Sequence, residues 1–134
     1  MALPHRHLRI LIADDHAAIR KVVRTTLERH PDLEVCGEAE DGALAVKSAK
    51  ELKPDVVVLD VNMPVLNGFE AAREIKKDVP ETAIVIFSSH VDTLFVEAAK
   101  RAGVKVYVAK TKVGVALVKG IEAALANEDF VVLE

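Results

Sequence analysis

Four apolar runs in this chain of 134 residues end on groups that can do chemistry together. Val56-Val57-Val58-Leu59 stops at Asp60, Leu8 to Ala13 at Asp14-Asp15, Ala83 to Phe87 at Ser88-Ser89, and Val104 to Ala109 at Lys110. If these runs lie parallel in one sheet, their carboxyl ends share an edge and the groups converge there. Three carboxylates brought so close repel one another, and keeping all of them ionised needs a cation. Oxygen-only ligands favour Mg²⁺, which retains several waters and accepts a phosphate oxygen. Lys110 adds a fixed positive charge, Ser88 a hydroxyl donor, and one carboxylate is free to act as nucleophile. The result is a pocket for a tetrahedral dianion. Asp60 is its centre, because the β-branched run before it reads as a strand buried on both faces. Packing alone gives no reason for such a strand to end on a carboxylate.

The elements that must position these groups alternate along the chain. Leu8 to Ala13 predicts a first strand, followed by a helix over 16–29 with apolar Ala18, Ile19, Val22, Val23 and Leu27 near helical spacing. His30-Pro31-Asp32 stops it. Leu33 to Ala39 predicts the second strand, and Asp41-Gly42 opens a helix to Leu52. Pro64 and Asn67-Gly68 bar the third strand from continuing past Asp60, and a helix over 69–77 follows. Ala83 to Phe87 is the fourth strand, and residues 92–101 form a helix with Gly103 as its stop. Val104 to Ala109 is the fifth strand, and 113–126 the last helix. Strand–helix alternation of this kind predicts a doubly wound α/β fold around a five-stranded parallel sheet. Residues 1–7 read as a polar lead, 8–127 as the domain, and 128–134 as a tail or the start of a linker.

The totals bound the rest. A chain of 134 residues that is 51% apolar can bury a core without disulfides or a structural metal. A net charge of −3, with basic residues scattered, argues against direct nucleic-acid contact by this segment. The single cysteine, Cys36, permits no internal disulfide and reads as a small core residue. No apolar stretch approaches the roughly 20 residues of a membrane span, so a cytoplasmic protein is expected.

These residues in this order resemble the receiver domain of a two-component response regulator. The resemblance is carried by Ala13-Asp14-Asp15-His16, Asp60-Val61-Asn62-Met63-Pro64 with Asn67-Gly68, Ser88-Ser89 and Tyr107-Val108-Ala109-Lys110. It spans about Leu8 to Ala126, and Ile12 to His16 with Asn62-Met63-Pro64 look most like the NarL/FixJ subfamily. It implies a flavodoxin-like (βα)5 fold with strand order 2-1-3-4-5. It further implies that Asp60 accepts a phosphoryl group from a sensor histidine kinase, with Mg²⁺ held by Asp14, Asp15, Asp60 and the backbone carbonyl of Asn62. Ser88, Ser89 and Lys110 would contact the phosphate, and Ser88 and Tyr107 would form a switch pair. Phosphorylation adds about −2 charge and new acceptor oxygens. Ser88 can then swing inward and Tyr107 rotate into the space it leaves, altering the surface of the fourth helix, fifth strand and fifth helix. The subfamily implies a helix-turn-helix output domain, the alternative being a stand-alone receiver; a separate effector protein and a phosphorylation-dependent homodimer are further expected partners.

Two departures stand out. Thr111 follows Lys110 where receivers commonly carry proline, and a cis peptide there costs about 3–4 kcal/mol without it. Val106 stands where related regulators often have glycine. His16 and His90 lack metal-ligand spacing to any other His or Cys and read as solvated loop residues, His90 with an influence on phosphoryl lifetime by resemblance. Among rival functions, an aspartyl-phosphate phosphatase of the haloacid-dehalogenase kind would want a second Asp where Asn62 stands. A dinucleotide-binding module would need a glycine-rich first loop, and Asp14-Asp15 would repel its phosphates. A phosphorylation-independent interaction module would have no use for the acidic pair, Asp60 and Lys110.

Overall fold

A computed structural model describes residues 7–112, 114–126 and 129–134. Most of the expected lead, the expected first residue of the last helix (Val113), and residues 127 and 128 lie outside the described residues. The described residues form β1 (Leu8–Ala13), α1 (Ala17–Glu28), β2 (Leu33–Ala39), α2 (Gly42–Leu52), β3 (Val56–Leu59) and α3 (Gly68–Asp78). They continue with β4 (Ala83–Ser88), α4 (Thr93–Arg101), β5 (Val106–Ala109), a 3₁₀ turn over Lys110–Lys112, α5 (Val115–Leu125) and β6 (Val131–Leu133). All pairings are parallel, in the order β2-β1-β3-β4-β5-β6.

The sheet corrects one expectation. Five strands were expected in the order 2-1-3-4-5, and that order holds, but a sixth strand follows it. Residues read as a tail pair with β5, Val131 beside Val106 and Leu133 beside Val108. Their side chains join the core: Leu133 packs against the α5 side, and Phe130 against the opposite side. A run of three β-branched or aliphatic residues is too short to announce a strand by periodicity. The unpaired edge of β5 makes it one.

Strand alternation divides the core into two layers. Ile10, Ile12, Val56, Val58, Val85, Val106 and Val108 face α1 and α5, whereas Leu11, Val57, Leu59, Ile84, Ile86 and Tyr107 face α2, α3 and α4. Three helices start where the sequence supplies a cap. Asp41 accepts from the Leu44 N–H, Asp92 from that of Phe95, and Asn67 shares a reciprocal capping box with Glu70. Gly103 ends α4 at φ +86°, as its expected role requires. Cys36 departs from its expected place. Ile10 pairs with Val35 and Leu11 with Gly37, so Cys36 is the extra residue of a bulge and only half-buried. The described residues contain no cis peptide bond, Lys110–Thr111 included, and no helix long and apolar enough to cross a membrane.

Candidate functional site

The strand order reverses direction between β1 and β3, and that is where an open α/β sheet opens its crevice. Ala13 is the register partner of Leu59, and the Asp60 N–H donates to the Ala13 carbonyl at 2.9 Å. The residues that follow, Asp14 and Asp60, are thus fixed side by side at the rim. Both are nearly sealed from solvent, at 2% and 5% exposure. On the other side, Ser88 is the register partner of Ala109, which sets Lys110 at the same edge.

Lys110 joins the two acids. Its ammonium donates to Asp14 Oδ2 at 2.8 Å and lies 3.1 Å from Asp60 Oδ1. Burial alone would lower the Lys110 pKa, but the hydrogen bond it donates to Asp14 and the charges of Asp60 and Asp14 outweigh it and leave the group raised. Asp60 is held above its ordinary value, chiefly by burial and then by the charge of Asp14, against the opposing pull of Lys110. One ammonium does not compensate the two buried carboxylates. Asp60 Oδ1 takes the Val61 N–H at 2.9 Å as well as Lys110, whereas Oδ2 accepts no hydrogen bond among the described residues. The second oxygen is the one left to form a bond.

Asp15 stands at the mouth of the crevice. Ligand atoms of Asp14, Asp15, His16 and Asp60 all lie within 4.8 Å of one another. Three carboxylates on one small concavity with excess negative charge are a donor set that fits a hard divalent cation. His16 was expected to be a solvated loop residue. Its side chain is indeed two-thirds exposed, yet Nδ1 sits 3.2 Å from Asp14 Oδ1 and 3.1 Å from Asp15 Oδ1. The N-cap of α1 is His16 and makes no side-chain cap bond, so neither aspartate caps that helix. The only signal for His16 in the sequence is its adjacency to the acidic pair, since no other His or Cys stands at ligand spacing from it.

The remaining residues divide. Ser88 is buried, with Oγ accepting the His90 N–H at 3.0 Å. Tyr107 is fully buried on the neighbouring strand, and its hydroxyl donates to the His90 carbonyl. Burial raises the Tyr107 pKa, with the Ser88 hydroxyl acting against it. Ser89 and Asn62 are exposed in the loops beyond their strands. His90 is exposed and stacks on Phe95, ring centroids 4.7 Å apart. The loop after Asp60 carries strain at its tip: Val65, β-branched and 74% exposed, holds φ +71°. Gly68 closes that loop, its N–H donating to the Val61 carbonyl at 2.7 Å, and a Cβ there would run into the Asp60 carbonyl oxygen.

A parallel sheet of this order, with paired aspartates, a third carboxylate and a lysine at its switch point, defines a doubly wound α/β domain with an aspartate-centred site. The family model for the response regulator receiver domain matches residues 10–122, and the chain belongs to that family. It is 36% identical over 121 residues to the transcriptional regulatory protein LiaR of Bacillus subtilis, covering 90% of this chain and 57% of that protein. It is 46% identical over 86 residues to a protein-glutamate methylesterase/protein-glutamine glutaminase of Pyrococcus abyssi, covering 64% of this chain and 23% of that one. Among solved structures, a LuxR-family two-component response regulator from Aurantimonas sp. SI85-9A1 superposes with a TM-score of 0.87 at 36% identity, covering 93% of this chain and 89% of that one. The receiver domain of the putative response regulator NarL from Mycobacterium tuberculosis matches with a TM-score of 0.87 at 28% identity, covering 92% and 99%. The likeness to NarL- and LuxR-type regulators thus extends beyond the motifs. The chain spans about half or less of the length of these curated relatives.

Proposed function

We propose that this chain is a phosphoacceptor switch in which Asp60 takes a phosphoryl group from a sensor histidine kinase in the cytoplasm. The observation that carries the reading is the Lys110 ammonium set between Asp14 and Asp60, with Asp60 Oδ2 unclaimed. Asp60 Oδ2 attacks phosphorus, the bond to the donor imidazole nitrogen breaks, and the nitrogen leaves with its electron pair. Asp14, Asp15, Asp60 and the Asn62 carbonyl are the groups that would hold Mg²⁺, which when bound neutralises charge on the transferring oxygens. Lys110 stays within reach of Asp60 and offers its ammonium to a phosphoryl oxygen. Ser88 and Ser89 supply further donors from the end of β4.

The switch follows from burial and hydrogen bonding. Ser88 Oγ is engaged by the His90 N–H, and the His90 carbonyl receives the Tyr107 hydroxyl. One short segment therefore ties Ser88 to Tyr107. A dianion on Asp60 draws the Ser88 hydroxyl toward it and shifts the balance between arrangements of that segment, and with it the α4–β5–α5 surface. Tyr107 is already inward here, so phosphorylation stabilises an arrangement the fold can already adopt. That surface would control an output, a DNA-binding domain on a longer chain or a separate effector, or would pair two copies of the domain. Incubation with acetyl phosphate and Mg²⁺ followed by intact mass tests the reading. A single gain of about 80 Da, one phosphoryl group, absent from Asp60→Asn, is expected. An unmodified wild-type chain would leave the domain as a phosphorylation-independent interaction module and refute the proposal.

A further inference from the structure

The cation pocket of this chain contains a group that a purely carboxylate site lacks. Asp14 divides its oxygens: Oδ2 takes the Lys110 ammonium, while Oδ1 faces His16. The His16 backbone N–H also donates to Asp14 Oδ1, at 2.9 Å, which turns the chain so that the imidazole lies over the acidic pair. Nδ1 then stands 3.2 Å from Asp14 Oδ1 and 3.1 Å from Asp15 Oδ1. Around an octahedral ion with bonds of about 2.1–2.2 Å, neighbouring ligand atoms are about 3.0–3.1 Å apart. Nδ1 is thus spaced from each carboxylate oxygen as an adjacent corner of one coordination shell, and the ligand oxygens of the two aspartates lie within 4.8 Å of each other. The donor from Asp60 lies within 4.8 Å of each, a little more than the roughly 4.2 Å across such a shell.

We propose that His16 is a nitrogen ligand of this site, so that the pocket favours borderline divalent transition ions such as Co²⁺ over Mg²⁺ more strongly than carboxylates alone would. The inference rests on the receiver reading of the pocket and adds a determinant of ion choice to it. Imidazole nitrogen suits Co²⁺, Ni²⁺ and Zn²⁺, whereas Mg²⁺ prefers oxygen and retains its waters. In the neutral tautomer with the proton on Nε2, the Nδ1 lone pair points at the space shared with the two carboxylates. With Mg²⁺ the ring can stand aside, because its side chain is two-thirds exposed and, among the described residues, only the two aspartates hold it there.

Titration of wild type and His16→Asn with Co²⁺ and with Mg²⁺, by calorimetry and visible absorption, tests the assignment. Asparagine is a favoured N-cap residue at a position that now has no side-chain cap, so the variant is expected to fold. The Co²⁺ dissociation constant is expected to rise about 10-fold or more in the variant, while that for Mg²⁺ changes by less than about 3-fold. Nuclear magnetic resonance should show the His16 ring protons of wild type shifted by paramagnetic Co²⁺. An unchanged ratio of Co²⁺ to Mg²⁺ affinity, or His16 ring signals untouched by Co²⁺, would overturn the assignment while the receiver reading stands. Failure of the wild-type chain to bind Mg²⁺ at all would remove both.

Discussion

Replacing Asp60 by asparagine is expected to stabilise the metal-free chain at neutral pH, although it removes an ion pair. The carboxylate oxygens of Asp14 and Asp60 lie within 4.8 Å, a repulsion of about 3–4 kcal/mol at an effective dielectric of about 20. Lys110 at 3.1 Å from Asp60 returns about 5 kcal/mol on the same basis. Desolvation decides the sign, because a carboxylate at 5% exposure carries a penalty of several kcal/mol. The balance is about 1–2 kcal/mol in favour of the neutral amide, in keeping with the raised pKa of Asp60. Lys110 is not orphaned in the variant, since Asp14 keeps it at 2.8 Å. Thermal unfolding in a chelator should show a midpoint higher by roughly 3–10 °C for a domain of this size, and urea unfolding a midpoint at higher urea. The sign with pH follows from the raised folded-state value. Below the unfolded carboxylate pKa of about 3.9, wild-type Asp60 is protonated in both states and costs nothing. The wild type loses ground as pH rises from the unfolded value to the raised folded-state pKa, so the variant's advantage opens across that window, is complete above it and closes again toward acid. Millimolar Mg²⁺ should narrow the gap, because the wild type has an additional ligand for it. A variant no more stable than wild type at pH 7 in chelator would refute the reasoning, since Lys110 would then outweigh burial and Asp14 together.

The other predictions concern the frame around the site. Gly68→Ala places a methyl against the Asp60 carbonyl oxygen and near the Val61 Cα at 2.9 Å. Both are backbone, so the loop must move, and a loss of about 1–3 kcal/mol is expected in urea unfolding together with slower labelling of Asp60 by acetyl phosphate. Val131→Pro deletes the N–H that donates to the Lys105 carbonyl at 3.2 Å and should detach β6 at a cost of about 1 kcal/mol. Hydrogen exchange should then speed up along β5 while β1 and β3 stay protected, and uniform exchange across the sheet would contradict an edge role for β6.

Much of this protein was decided locally. Val56 to Leu59 is apolar at every position because both faces of β3 are covered, and a strand so placed ends on Asp60 only if the carboxylate has a use. Asn67, Asp41 and Asp92 announce their helices because a cap bonds within three residues of itself. Parallel strands joined by helical crossovers put all their carboxyl ends on one edge, so Asp14 and Asp60 at one rim could be read without coordinates, whereas the strand order itself came from the resemblance. What the sequence could not determine depends on partners distant in the chain. Val131-Val132-Leu133 is a strand because β5 has an open edge, and Cys36 is half-exposed because β1 and β2 slip register by one residue. His16 carries no pattern of its own, and only the turn fixed by Asp14 swings its imidazole over the acids. Tyr107 was legible only as one half of a switch pair, and the carbonyl of His90, 17 residues away, is what holds it inward. Propensity and periodicity act over a few residues, whereas edge pairing, bulges and rotamers are set by whatever the finished fold brings alongside.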